Sequence, residues 1–183
     1  MMILVTGGSG SGKSAFAEDC VVSCGETERI YIATMYPFDE ESRRRVQRHQ
    51  KMRQGKGFET IECYTGLRKV QVPENSTVLL ECMSNLVANE MFQEDGAHEN
   101  TVEVVMEGVH RLREQAGNLV IVTNEIFSEA ASYQGETELY QEYLGKINQF
   151  LGTLADQVVE VVYGIPVYHK KCASEKVGRM CVV

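Results

Sequence analysis

The chain opens Met2-Ile3-Leu4-Val5-Thr6-Gly7-Gly8-Ser9-Gly10-Ser11-Gly12-Lys13-Ser14. The run MILVT has the length and apolar character of a strand covered on both faces. The next eight residues, GGSGSGKS, fit the pattern GxxxxGK[ST] without departure. Glycines at these positions let successive backbone N–H groups turn inward and form a nest for phosphate oxygens. A helix starting near Lys13 points the positive end of its dipole at the same anion. Lys13 is placed to neutralise β and γ phosphates, and the Ser14 hydroxyl suits a position on Mg²⁺. With a strand before it and an amphipathic helix after it, Gly7–Ser14 reads as a P-loop for ATP or GTP rather than a chance glycine turn.

Outward from this loop, short apolar runs alternate with longer helical stretches. Arg29–Thr34, Thr77–Cys82, Leu119–Thr123 and Val158–Tyr163 join Met2–Thr6 as strands. Lys13–Val22, Glu40–Arg53, Ser84–Gln93, Val102–Gln115 and Glu136–Ala155 read as helices. This βαβα succession predicts an α/β fold of the P-loop NTPase type, a doubly wound, mostly parallel sheet with helices on both faces. Ligands are expected at the carboxyl ends of its strands. Gly164-Ile165-Pro166 marks a turn into a short last strand, Val167–His169, antiparallel at the sheet edge. Gln93–Asn100 and Phe127–Gly135 read as loops. Residues 1–170 form one domain in this reading, with 171–183 a loosely held tail.

Composition narrows the function classes. A chain of 183 residues with 43% hydrophobic and 24% charged residues has the make-up of one globular domain. A net charge of −8 argues against nucleic acid as the main partner, because a polyanion needs a broad basic surface. No apolar run approaches the roughly 20 residues of a bilayer span, and no export signal opens the chain, so a cytoplasmic protein is expected. The six cysteines form no CxxC pair. Cys20 and Cys24, one helical turn apart, read as packed thiols rather than a structural zinc site.

Two further features bear on chemistry. Glu81 closes the run TVLLE, which is the Walker B arrangement with Glu in place of the usual Asp. It reads as the second Mg²⁺ residue beside Ser14, or else as a capping or solvated carboxylate. Asp39–Arg53, DEESRRRVQRHQKMR, starts acidic and continues basic, as a well-solvated helix would. Its spacing also sets Arg45, Arg48, His49 and Met52 on adjacent turns. Neighbouring cations would keep the imidazole neutral and nucleophilic, and a neutral imidazole beside anchored phosphates can attack phosphorus to form a phosphoramidate. His98, His110 and His169 read as surface residues.

The chain resembles the bifunctional adenosylcobinamide kinase/adenosylcobinamide-phosphate guanylyltransferases of cobalamin biosynthesis. The resemblance lies in ILVTGGSGSGKS at Ile3–Ser14, YIAT at Tyr31–Thr34, RVQRHQ at Arg45–Gln50 and FETIEC at Phe58–Cys63. It continues with LLECMSNLVAN at Leu79–Asn89, VIVTNE at Val120–Glu125, GKINQFL…AD over Gly145–Asp156, and GIPVYHK at Gly164–Lys170. These pieces run in the family's order over nearly the whole chain. The resemblance implies phosphorylation of the aminopropanol hydroxyl of adenosylcobinamide by a nucleoside triphosphate, ATP or GTP, with Mg²⁺. A histidine then takes GMP from GTP and passes it to the new phosphate, giving adenosylcobinamide-GDP. The guanylylated histidine falls on His49, with Lys13 the second catalytic residue. Thr34, Gln50, Lys51, Arg53, Glu62 and Glu81 match positions that surround the nucleotide. The family is cytoplasmic and oligomeric, with a trimer as its best-known form.

Two departures fall on the substrate side rather than the nucleotide side. Where the family continues VTNE with GxGIVP, Ile126–Gly135 reads IFSEAASYQG. An Arg-x-Phe-Arg-Asp stretch is replaced by Leu139-Tyr140-Gln141-Glu142-Tyr143, so two arginines are missing from a region expected to meet the corrinoid or a neighbouring subunit. The rival readings are an enzyme keeping only guanylyl transfer, a plain P-loop small-molecule kinase, and a non-catalytic GTP-binding module. Against the last, the NKxD base-reading motif of switch G proteins is absent, since Asn124 is followed by Glu125.

Overall fold

A computed structural model describes residues 1–126 and 135–171. Its strands are β1 (Met2–Thr6), β2 (Arg29–Ala33), β3 (Phe58–Glu62), β4 (Thr77–Glu81), β5 (Asn118–Val122), β6 (Gln157–Val162) and β7 (Ile165–Lys170). Helices α1 (Lys13–Ser23), α2 (Glu40–Arg53), α3 (Met83–Phe92), α4 (Thr101–Gln115) and α5 (Glu136–Leu154) intervene. The strands make one sheet in the order β3-β2-β4-β5-β1-β6-β7. Every pairing is parallel except β6 with β7.

The all-apolar runs became the interior of this sheet because only side chains without polar atoms can be covered on both faces. Ile3, Val5, Tyr31, Leu79, Val120 and Val159 pack on one face against Ala17, Cys20 and Val21 of α1. Met2, Leu4, Ile32, Leu80 and Ile121 face the other way, onto Leu86 of α3, Val105 and Val109 of α4, and Leu144, Ile147 and Leu151 of α5. In α2, by contrast, only Ser42 and Arg53 are buried.

Some expectations need adjusting. Phe58–Glu62 is a strand, the sheet's edge next to β2. Its residues are half-buried or exposed, and an edge strand of this kind shows no apolar run to read. The last strand is longer than Val167–His169, spanning Ile165–Lys170. The polar stretch after α3 contains a 3₁₀ turn at His98–Asn100. Most of the loop expected over Phe127–Gly135, and all of the expected tail past Lys171, lie outside the described residues.

Gly108 shows where packing overrides propensity. It is buried in α4, and a Cβ there would stand 2.9 Å from Leu67 Cβ and 3.0 Å from the Arg68 backbone nitrogen. Alanine in a helix interior gains about 1 kcal/mol over glycine, whereas overpacking a core costs about 1–3 kcal/mol. Gly108→Ala is therefore expected to destabilise the fold by up to ~2 kcal/mol, read as a lower urea midpoint at unchanged m-value. A higher midpoint would show that the Leu67–Lys69 turn retreats freely.

Candidate functional site

The loop Gly7–Gly12 leaves the carboxyl end of β1 at the middle of the sheet and enters α1. Gly7 lies at φ 151°, and a Cβ on it would stand 2.5 Å from the Val161 carbonyl oxygen and 2.7 Å from Ser11 Oγ. Gly12 caps α1 at φ 93°, in the left-handed region. The turn is closed by Ser11 N–H donating to Gly8 O at 3.2 Å and by Gly164 N–H donating to Ser11 O at 2.8 Å. Lys13 Nζ donates back to Gly8 O at 3.1 Å, folding its ammonium over the loop. Burial lowers the Lys13 pKa, partly offset by Cys82 and Glu81. Ser11 Oγ is buried without a hydrogen-bond partner among the described residues, a polar group left over inside a phosphate-shaped turn.

Glu81 ends β4, two strands from β1, and is 6% exposed. The Ser14 hydroxyl donates to its Oε1. The Tyr31 hydroxyl, from β2, donates to its Oε2 at 3.2 Å. His49 Nδ1 approaches Oε1 to 3.5 Å, with the His49 side chain 22% exposed. Burial pushes the Glu81 carboxyl up, but the groups turned toward it from His49, Ser14 and Tyr31 outweigh burial and hold it below the usual carboxylate range. Tyr31 itself is held far above the ordinary phenol range, first by burial and then by the Glu81 charge, so its hydroxyl stays a donor.

Ser14 and Glu81 together offer a hydroxyl and a carboxylate, the hard oxygen donors that suit Mg²⁺. Among the described residues no three His, Cys, Asp or Glu side chains gather as a dedicated metal cage. Mg²⁺ binds without one, keeping waters and taking substrate phosphates. The donor set therefore fits.

The remaining sequence-predicted residues divide. Thr34 is fully buried, and its hydroxyl is spent on the turn after Glu81: it donates to Cys82 O at 2.8 Å and accepts from Cys82 N–H at 2.7 Å. Gln50, Lys51 and Arg53 line one cleft with Phe58 and Thr60. Glu62 lines another, with Tyr64, Lys69 and Asp95, below an edge-to-face Tyr36–Tyr64 pair with centroids 5.0 Å apart. Of the cations expected around His49, Arg45 is turned away and pairs with Glu41 along the exposed side of α2, as its neighbour Arg44 does with Glu40. A carboxylate, that of Glu81, faces the imidazole.

Tyr31 is the residue that sequence reasoning missed. It sits in an apolar strand where an aromatic reads as core, and its partner lies 50 positions away. Elsewhere, Cys24 Sγ donates to the Cys20 carbonyl at 3.3 Å at the end of α1. His169 pairs with Glu160 at 2.8 Å on the β6–β7 hairpin.

A glycine loop leaving a central parallel strand, with a strand-end carboxylate facing it, defines a P-loop nucleotide-binding protein. Solved structures agree on the fold. A KaiC-like protein from Pyrococcus horikoshii superposes with a TM-score of 0.54 at 13% identity, over 95% of this chain and 81% of the other. A second solved structure, an ATPase domain, gives 0.50 at 11% identity, over 87% of this chain and 68% of the other. The chain belongs to the cobinamide kinase / cobinamide phosphate guanyltransferase family, whose profile matches residues 3–168. It is 30% identical over 184 residues to the bifunctional adenosylcobalamin biosynthesis protein CobU of Salmonella typhimurium, covering 91% of this chain and 98% of that relative. The CobU protein of Escherichia coli K12 matches with the same identity and coverage.

The helix that delivers His49 starts in a capping box. Asp39 Oδ1 accepts from Ser42 N–H at 2.6 Å, while Asp39 N–H donates to Ser42 Oγ at 3.0 Å. The Ser42 hydroxyl and backbone hold the Asp39 carboxyl below its usual range. A depressed carboxylate stabilises the fold above its unfolded pKa, and that contribution is lost as pH falls through the folded value. Asp39→Ala should lower the amide protection factors in the first turn of α2 at neutral pH and leave those factors insensitive to acidification below about pH 4. Unchanged exchange would show that the cap does not hold the helix start.

Proposed function

We propose that the protein phosphorylates adenosylcobinamide with a nucleoside triphosphate and then transfers GMP from GTP, through a guanylyl-His49 intermediate, to give adenosylcobinamide-GDP. The observation that carries this reading is the convergence of His49 and Ser14 on one buried carboxylate, Glu81. A histidine from an otherwise solvated helix has no packing reason to stand there. Membership of the family supplies the substrates, and the relatives' bifunctional name supplies the pairing of activities.

In this reading Gly7–Ser14 holds the phosphate chain, with Lys13 countering its charge. Mg²⁺, held by Ser14 and Glu81, supplies charge neutralisation on the phosphate oxygens. For the kinase half, little is needed beyond aligning the substrate hydroxyl with the γ-phosphorus. For the transferase half, Nδ1 faces Glu81, which leaves Nε2 as the free nucleophile. Its lone pair attacks the α-phosphorus, the P–N bond forms, the α–β bridging bond breaks and pyrophosphate leaves with the electron pair. A phosphate oxygen of the corrinoid then attacks the same phosphorus and the P–N bond breaks, restoring the histidine. Glu62, exposed at the rim of its 660 Å³ cleft, would accept from the N1–H and amino group of guanine. Gln50, Lys51 and Arg53 would meet the nucleotide from the α2 side, and Thr34 would contribute by fixing the turn that follows Glu81. The enzyme would work in the cytoplasm as a homo-oligomer, a trimer by family likeness. Exposed Tyr163, Ile165 and Val167 on the edge hairpin offer apolar surface for such association.

The test is incubation with Mg²⁺ and GTP carrying a radiolabel on the α or, separately, the γ phosphate. Denatured wild-type protein should retain α label only, labile to acid and stable to base, and His49→Ala should retain none. Tight GTP binding with no label in either case would rule out the guanylyl-histidine and leave a plain kinase or a binding module.

A further inference from the structure

Three observations around β2 meet on a residue to which the reaction above gives no role. Tyr31 is 3% exposed, and its hydroxyl supplies the partner of Glu81 Oε2, the oxygen that neither Ser14 nor His49 uses. The Arg53 guanidinium carbon lies 3.3 Å from the centre of the Tyr31 ring. Phe58 meets the same ring edge-on, with centroids 6.3 Å apart and planes at 86°. The phenol is thus clamped on its face and its edge, with one polar atom aimed at the carboxylate.

Packing alone does not account for this. A phenylalanine would fill the strand position and take the guanidinium on its face as well, so it is the hydroxyl, donated to Glu81 Oε2, that packing leaves unexplained. Arg53 is 7% exposed and its Nη1 has no hydrogen-bond partner among the described residues, so burying it has a cost that the stack must help offset. Arg53 is also the last residue of α2, the helix that carries His49 one turn earlier.

We propose that Tyr31 is a positioning residue for the transfer reactions. Its hydroxyl fixes the Glu81 carboxylate so that Oε1 faces Ser14 and His49, and the Arg53 stack ties the end of α2 to the same phenol. One aromatic ring thereby couples the carboxylate of the phosphate site to the helix that delivers the nucleophile. The inference rests on the nucleotide-transfer reading of this site.

The test compares wild type with Tyr31→Phe, Glu81→Gln and Arg53→Met. Mn²⁺ affinity in the presence of GDP, read by electron paramagnetic resonance, reports the carboxylate without turnover. The single-turnover rate of α-phosphate labelling of His49 reports the nucleophile. GDP affinity in EDTA checks that the phosphate loop is intact in Tyr31→Phe and Glu81→Gln. Groups that orient a metal-binding carboxylate typically contribute 10–100-fold to metal affinity or activity, so Tyr31→Phe is expected to weaken Mn²⁺ and slow labelling by roughly that factor with metal-free GDP binding unchanged. Arg53→Met, with the hydroxyl retained, should slow labelling more than it weakens Mn²⁺. Loss of Mn²⁺ affinity in Glu81→Gln but not in Tyr31→Phe, with labelling also at the wild-type rate, would overturn the role of Tyr31 and leave the site standing. No change in Glu81→Gln would overturn the reading of the site itself, and this inference with it.

Discussion

A carboxylate that is 6% exposed at the end of a central strand must be given partners, because an unpaired buried charge costs more than a fold of this size can spare. Much of the site follows from how Glu81 is satisfied. Its donors come from three elements: Ser14 from the start of α1, Tyr31 from β2 and His49 from α2. The parallel sheet brings them together. Ala33 and Val122 flank Glu81 in register on β2 and β5, so the loops after these strands open on the same side as the phosphate loop after β1. A ligand site at the carboxyl ends of the strands is the geometric result.

The same constraint explains how a helix as polar as α2 is held. Arg44, Arg45 and their acidic partners keep its outer side in water, and exposed pairs of this kind contribute little. What fixes it are the capping box at Asp39, the approach of His49 to Glu81 and the stack of Arg53 on Tyr31. These contacts are polar and few, and two of them lead to the phosphate site. Ser14 and His49 share Oε1, so anything that draws that oxygen toward the phosphate loop changes the contact that positions the nucleophile. The second anchor lies beyond the helix, where Lys56 pairs with the fully buried Glu18 of α1 at 2.8 Å. The phosphate-loop helix therefore also holds the segment through which α2 enters β3.

The sequence showed the parts that local physics determines. Met2–Thr6 is a strand and Glu40–Arg53 a helix at the ends that their composition predicts, the latter because its acidic start and basic continuation complement the helix dipole. Strand order was not legible, since TVLLE and LVIVT both read as buried strands and nothing local says which lies beside MILVT. Phe58–Glu62 was missed as a strand because an edge strand keeps polar side chains on both sides. At the site, Ser14, Lys13 and Glu81 announce themselves by motif. The role of Tyr31 depends on a contact across the sheet, and the setting of His49 on which side of α2 meets it. Helical spacing placed Arg45 and Arg48 near His49 along the chain. It could not show that Arg45 is taken by Glu41 and that a carboxylate fills the space beside the ring.

The stretch that departs from the family pattern fits the same logic. Tyr140 and Tyr143 stand in the part of α5 where the family resemblance led arginines to be expected, and both bond to backbone of neighbouring elements. Tyr140 donates to the Ser84 carbonyl at 3.2 Å, and Tyr143 to the Glu99 carbonyl at 3.5 Å. Burial raises the Tyr140 phenol to about 12, so it remains a neutral donor where a guanidinium would bring a permanent charge. Ser84 in turn contacts Cys82 at 3.0 Å and accepts from Asn124 at 2.7 Å, the residues that follow Glu81 and β5. Tyr140 thus ties α5 to the start of α3, just past the turn after the carboxylate strand. Neither tyrosine bonds to the phosphate loop or to Glu81: their partners lie in α3 and in the turn before α4.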